Sequence, residues 1–275
     1  MLGKLIKHEF EATRGGFLLL YGITVLLCLL CKPLFYVRMG MIPDEDIEIY
    51  LTDVVWIYVL CLLLGLISTI GVILSAVRFY QSMTCDEAYL TFTLPATSTQ
   101  IFFSKVFVGF VWNTGLTALG VLGAIAAGAG APIVKEVLPI MWADLQADGM
   151  TTQYLINTFV NYGISLIIAN WIAMTLLMFV ISIGQLFGKY RLPATVGTYF
   201  LIQGVGSVVI CVAVVIVVLL TGASIVASGN SVEIISDSEQ MDKWILIGQY
   251  AYYIVIGTIT TIVPNYIFKK KLNLA

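Results

Sequence analysis

The residues of this chain that could do chemistry form two short motifs. Each motif lacks residues that the corresponding binding site would need. The first, from Gly184 to Tyr190, approaches the pattern of a phosphate-binding loop ending in Lys189. It has one residue too few between its glycines, and no Ser or Thr follows the lysine to bind magnesium. A G-x-x-x-G helix contact is the better interpretation. The sequence therefore predicts no ATP site on this chain.

The second motif is Cys28-x-x-Cys31. A zinc site would lack ligands here, because no second cysteine pair accompanies the motif and His8 is the only histidine. Spacing of i,i+3 on a helix also suits a disulfide poorly. We therefore expect the cysteines to pack as apolar residues. We expect no metal and no cofactor on this chain, and no enzymatic activity of its own.

Carboxylates are missing from the middles of the long apolar stretches, which argues against proton- or sodium-coupled transport, since such transporters usually carry them as relays or ion ligands. The polar residues that remain include three spaced four apart, which share one helix face. Two interpretations stay open: a weakly polar path for an amphipathic substrate, or interhelical hydrogen bonds worth about 0.6–2 kcal/mol each. The candidates for such a path are Asn113, Asn157, Asn161, Ser165, Gln249 and Tyr253.

Long apolar stretches must position these side chains. Apolar residues make up 60% of the 275 residues and charged residues 11%, against about 45–50% and 25% in soluble domains. The sequence predicts an all-α integral membrane protein with six transmembrane helices and an N-terminal amphipathic interfacial helix over residues 1–14. A re-entrant segment at 222–235 stays open. The single transmembrane domain, 1–275, would have spans at approximately 17–37, 54–77, 102–128, 160–187, 197–220 and 244–267.

The distribution of Lys and Arg predicts that both termini are cytoplasmic. With the N-terminus inside, ten of the 14 basic residues lie on the cytoplasmic side, including the three lysines at 269–271. The net charge of −2 hides this asymmetry. We expect a multi-pass protein of the plasma membrane, with the lipid bilayer as a partner and no nucleic acid.

The loop between the second and third spans reads D-E-A-Y-L-T-F-T-L-P over residues 86–95. Thr84 and Glu87 have the spacing of a capping box, which would satisfy the first free amides of a helix. Pro95 would end that helix about ten residues later. A short helix with acidic, aromatic and aliphatic residues suits docking to a soluble partner, and a plain connector between two spans is the alternative.

This run, together with the opening M-L-G-K-L-I-K-H-E-F, resembles the permease subunit of a bacterial ABC transporter of the type-two, exporter-like class. The closest likeness is to the short single-domain permeases of Gram-positive bacteria. It covers the whole chain in hydropathy and order, but only these two stretches in residue detail. It implies that segment 84–95 is a coupling helix, capped by Thr84, on a separate cytosolic ATPase subunit that binds ATP and magnesium. The contacting residues would be Asp86, Glu87, Tyr89, Leu90, Phe92 and Leu94.

The same resemblance implies a dimer of permease subunits, identical or different, with two copies of the ATPase. The expected activity is export of an amphipathic or hydrophobic substrate such as an antimicrobial peptide or a drug. The alternative is a membrane sensor or assembly scaffold that does not transport. A transporter should stimulate the turnover of its ATPase, whereas a scaffold should not.

Overall fold

The computed structural model of the chain describes residues 2–39, 47–84, 97–128, 139–140, 142–143, 152–220, 224–228, 231–235 and 238–270. Nearly all of these lie in long α-helices, each of which contains a stretch long and apolar enough to cross a membrane. The prediction of six membrane helices is confirmed at this level. In chain order they are α1 (Leu2–Met39), α2 (Ile47–Thr84), α3 (Ser98–Gly128), α4 (Thr152–Gly184), α5 (Arg191–Leu220) and α6 (Ser238–Lys270).

Two shorter elements complete the described part of the chain. A 3₁₀ segment, Gln185–Tyr190, joins α4 to α5, and a hairpin of β1 (Ser224–Ser228) and β2 (Ser231–Ile235) lies between α5 and α6. The hairpin occupies the region that the sequence left open as a re-entrant segment, beside a chain that is otherwise helical in its described part. Its strands are rich in Val and Ile, which favour strands, and the intervening Gly-Asn dipeptide is typical of two-residue hairpin turns.

The chain forms two compact units, Met1–Met174 and Thr175–Ala275, with the boundary inside α4. In the first unit α1 packs along α3, and the two helices run in the same direction. Glu9 meets Lys105 near one end of the contact, and Cys28 lies against Gly123 near the other. This is the arrangement expected of the first and third passes through a membrane.

The second helix, α2, runs in the opposite direction against α1. Arg78 near its end reaches Glu9, whereas Ile67, about three turns earlier, packs with Leu20 of α1. Leu116 of α3 completes this buried apolar cluster. The three helices therefore surround one apolar core, and the alternation of direction agrees with successive membrane passes.

The first 14 residues do not form a helix of their own, because α1 is continuous from Leu2 to Met39. One side of this stretch packs on Trp112 of α3. The indole Nε1–H donates to the Thr13 hydroxyl at 3.0 Å, and the Phe10 ring lies 5.7 Å from the indole, edge to face. Among the described residues no separate interfacial helix is seen. The amphipathic pattern at the N-terminus thus has a packing partner within the protein.

In the second unit α6 contacts α5 and the end of α4. The hydroxyls of Thr175 in α4 and Thr260 in α6 are 2.9 Å apart, and both residues are buried. Pro264 lies inside α6 and has no N–H to bond the carbonyl four residues earlier, which is that of Thr260. The buried contact between Thr175 and Thr260 therefore lies in the turn of α6 where Pro264 removes a backbone hydrogen bond.

The close approach of α2 to α3 at Gly71 gives a testable prediction. A methyl group at Gly71 would lie 2.9 Å from both Asn113 Oδ1 and Leu116 Cδ2, whereas one at Gly65 of the same helix would meet nothing. Both neighbours are buried, so Gly71→Ala should lower the free energy of unfolding by about 1–3 kcal/mol. The measurement is thermal unfolding in detergent, with Gly65→Ala as the control. Equal stability of the two variants would contradict this packing.

Candidate functional site

Three charged side chains from three helices meet near the start of α3, and they are called the Glu9 cluster here. The ammonium group of Lys105 donates to Glu9 Oε1, and Nε of Arg78 is 3.9 Å from Glu9 Oε2. The side chain of Lys105 is 3% exposed, that of Glu9 13% and that of Arg78 26%. One carboxylate therefore joins α1, α2 and α3 through largely buried ionic contacts.

The sequence contained a signal for this cluster. Lys105 lies inside the predicted third span, 102–128, and a charge within a membrane helix is costly unless it is paired or reaches water. The distribution of basic residues alone places Lys105, like Arg78, on the cytoplasmic side. Removal of Lys105 from water needs a compensating anion, and Glu9, almost 100 residues earlier in the chain, supplies it.

The Glu9 cluster lies close to the segment predicted to couple to an ATPase. Arg78 is six residues before the end of α2 at Thr84, and Lys105 is seven residues after the start of α3 at Ser98. At 1.5 Å per residue these separations are about 9 and 10 Å. Any displacement of the residues between α2 and α3 would therefore act on both of these helices. The cluster connects the two helices to each other and to α1.

The predicted coupling residues themselves lie outside the described residues. The structure describes α2 up to Thr84, without its side chain, and resumes at Thr97. The cap at Thr84 and the ATPase contacts therefore stay predictions. They concern Asp86, Glu87, Tyr89, Leu90, Phe92 and Leu94.

The start of α3 has a capping box formed by Thr97 and Gln100. The Thr97 amide donates to Gln100 Oε1, and the Gln100 amide donates to Thr97 Oγ1, both at 3.3 Å. This reciprocal pair satisfies two of the free amides of the first turn. The helix that follows the predicted coupling segment therefore has a defined beginning, immediately after Pro95 and Ala96 in the sequence.

Asn113 is 2% exposed and uses its amide to join helices. Its Nδ2 donates to Ser75 Oγ of α2 at 2.8 Å and to the Gly109 carbonyl at 2.9 Å, and it lies 3.7 Å from Met174 Sδ of α4. Ser75 in turn donates to the Gly71 carbonyl. Its hydroxyl proton is therefore used, and it must accept from Asn113. In this arrangement Asn113 packs α2, α3 and α4 together.

The polar face of α4 passes from exposed to buried along the helix. Asn157 is exposed and accepts a hydrogen bond from Gln153 Nε2 at 3.3 Å. Asn161 is half-buried, and Ser165, one turn further, is buried. Both interpretations of these residues, a substrate path or helix packing, are compatible with this gradient.

Gln249 and Tyr253 form a pair on α6. The Gln249 amide donates to the Tyr253 hydroxyl at 3.0 Å, and both side chains are half-buried. The Tyr253 ring also lies edge to face with that of Tyr250, with ring centroids 6.4 Å apart. The hydrogen bond links residues one turn apart on a single helix. The pair therefore gives α6 a face that is both polar and aromatic.

The cysteines that the structure describes are free thiols: Cys28, Cys31, Cys61 and Cys211. Cys28 packs against Gly123 of α3, so its neighbour is a helix backbone. Within the described ranges no group of three His, Cys, Asp or Glu side chains comes together in a way that could hold a metal ion. Cys28 and Cys31 are half-buried, whereas Cys61 and Cys211 are exposed.

Comparison with known proteins adds no relative to this picture, because no protein-family model, curated protein or solved structure matches the chain. The functional argument therefore depends on the residues and contacts described above.

Proposed function

We propose that this chain is the membrane-spanning permease subunit of an ATP-driven ABC transporter of the exporter-like class. In this proposal the ATPase is a separate cytosolic subunit, and two permease subunits, identical or different, form the transport path. The substrate is amphipathic or hydrophobic, such as an antimicrobial peptide or a drug. The chain itself hydrolyses no ATP and binds neither ATP nor magnesium.

The observation that carries the proposal is the position of the Glu9 cluster beside segment 84–95. A coupling helix is useful only if the helices on both sides of it move together. Lys105 and Arg78, about three turns or less from the segment, contact the same carboxylate. A plain connector would not need its flanking helices to be joined in this way.

In the proposed mechanism ATP binding brings the two ATPase subunits together, and the segment at 84–95 moves with them. Because Glu9 ties α1, α2 and α3, that movement displaces three helices as a group. Packed helices switch between discrete arrangements rather than deforming continuously. The polar face at Asn157, Asn161 and Ser165 would then line the substrate path in one of these arrangements.

The test is reconstitution with an ATPase partner. The tagged chain is purified from its own cells with any ABC ATPase that accompanies it, and the complex is placed in liposomes. ATP turnover is compared with that of the ATPase alone, and export of a fluorescent amphipathic peptide is followed. We expect the chain to increase ATP turnover, and peptide to increase it further. A sensor or scaffold would leave the turnover of the ATPase unchanged, and that result would refute the proposal.

The proposal also requires a particular topology. Reporter fusions at residues 45, 145 and 237 should report the outside, and fusions at residues 90, 190 and 275 the cytoplasm. The physical reason is the ten-to-four distribution of Lys and Arg between the two sides. A C-terminal reporter on the outside would overturn the six-span arrangement. A reporter at residue 90 on the outside would place segment 84–95 out of reach of ATP and exclude the coupling role.

A further inference from the structure

The turn between α4 and α5 presents a surface that the transport proposal does not use. It consists of four large apolar side chains, between 48% and 67% exposed, within seven residues of each other: Leu186, Phe187, Tyr190 and Leu192. Exposed apolar side chains are ordinary on a membrane helix. This turn differs because its backbone is irregular and because it carries charge.

The backbone of the turn fixes its depth in the membrane. Phe187 and Gly188 have non-helical torsion angles, and Gly188 has φ of 40°, which favours glycine. Irregular backbone exposed to hydrocarbon leaves amide groups without partners, so it must lie where water or head groups are available. The apolar helices on both sides hold the turn next to the hydrocarbon. It therefore lies at the membrane–water interface, where aromatic side chains such as Phe187 and Tyr190 are stable.

The charge of the turn has no counterpart nearby in the sequence. Between Asp148 and Glu233 the chain contains only two charged residues, Lys189 and Arg191, and both are basic. The Arg191 side chain folds back so that Nε donates to the Gly188 carbonyl at 3.1 Å, which holds the guanidinium at the turn. Two positively charged residues in a turn at the interface attract negative charge from the membrane.

We propose that this turn binds the head groups of anionic phospholipids and anchors the α4–α5 junction at the membrane surface. Arg191 would bind the phosphate as a planar donor, Lys189 would add charge, and the four apolar side chains would lie among the upper acyl chains. Gly184, just before the turn, lies against Thr195 of α5. The two helices are thus closely packed there, and the anchor holds both.

The experiment uses the full chain in nanodiscs with the conservative substitution Tyr190→Trp. Acyl-brominated phosphatidylglycerol or phosphatidylcholine is present at the same mole fraction, and the signal of the five native tryptophans is subtracted. We expect local enrichment of the anionic lipid around this position by about fivefold for each of the two basic residues, the factor that corresponds to about 1 kcal/mol per basic residue near the surface. Arg191→Gln should reduce this enrichment, and Lys189→Gln with Arg191→Gln should abolish it.

The matched control is Phe200→Trp, an exposed position nine residues, or about 14 Å, beyond Arg191 on α5. There the two brominated lipids should quench equally, with or without the basic residues. Equal quenching at position 190 in the otherwise unchanged chain would overturn the proposal. Quenching there by aqueous iodide and by neither lipid would also overturn it, and would leave the surface open to a soluble acidic protein. Because no ATPase is present, the result is independent of the transport proposal.

Discussion

Glu9→Gln is expected to lower the free energy of unfolding by about 3 kcal/mol. Removing one partner of a buried ion pair costs about 3–5 kcal/mol, because the remaining charge stays in a poorly solvated site. We take the lower end because the Glu9 side chain keeps 13% of its surface exposed. The substitution preserves shape but removes the negative charge that Lys105 and Arg78 share. The measurement is thermal and denaturant unfolding of the detergent-solubilised chain.

The three members of the cluster should differ in a defined order. Lys105→Met leaves the Glu9 carboxylate beside Arg78, so the loss should be smaller than for Glu9→Gln. Arg78→Gln should cost least, since Arg78 is the most exposed of the three and the Glu9–Lys105 contact persists. Glu9→Leu combined with Lys105→Met should regain most of the stability, because apolar pairs of similar volume commonly replace buried ion pairs without loss.

The control is Glu11→Gln, which removes a charge from an exposed position two residues away on α1. It should change stability by less than about 0.5 kcal/mol. If Glu9→Gln is no more damaging than Glu11→Gln, the ionic contacts do not hold the three helices together. The argument that links segment 84–95 to α1 would then lose its physical basis.

The helices of this chain could be predicted because the hydrocarbon of the membrane requires each spanning segment to be long and apolar. Both properties can be read directly from the sequence. All six appeared, although the structure extends several beyond the predicted spans, as at α1 and α2. The extensions carry charges and amphipathic faces that continue into water or against neighbouring helices, so hydropathy does not mark their ends. The sequence leaves the structure of residues 222–235 open, because so short a stretch of small and β-branched residues does not by its length separate the strands 224–228 and 231–235 from a membrane segment.

The Glu9 cluster could be predicted only in part. Lys105 inside a predicted span required a partner, but several acids could have supplied it, and only packing places Glu9 there. Asn113 was considered for a substrate path because an amide in a membrane helix serves both transport and packing. Its partners, Ser75 and Gly109, depend on how α2 and α3 approach each other at Gly71. Contacts of this kind depend on how the helices pack against each other, and the spacing of residues within one helix does not predict that packing.

The predicted role of Glu87 in coupling can be separated from its predicted role in capping by two substitutions. Thr84→Ala would remove the predicted cap, and losing a cap typically costs about 1 kcal/mol, too little to unfold packed membrane helices. Glu87→Gln can still close the capping box with Thr84 but carries no charge. If Glu87 meets a basic or amide-bearing surface on an ATPase, losing its charge should cost about 2–5 kcal/mol of binding.

We therefore expect Glu87→Gln to leave expression and membrane insertion intact, yet to lower ATPase association by about 30-fold or more, since 1.4 kcal/mol corresponds to tenfold. Thr84→Ala should have the smaller effect. Tyr89→Ala and Phe92→Ala should resemble Glu87→Gln, because buried aromatic anchors dominate the energy of many interfaces. Association is measured by titrating the ATPase onto the chain in nanodiscs, and stimulated ATP turnover is measured in the same samples. If all four variants bind the ATPase and transport like the unmodified chain, segment 84–95 is a plain connector, and the proposed coupling role is refuted.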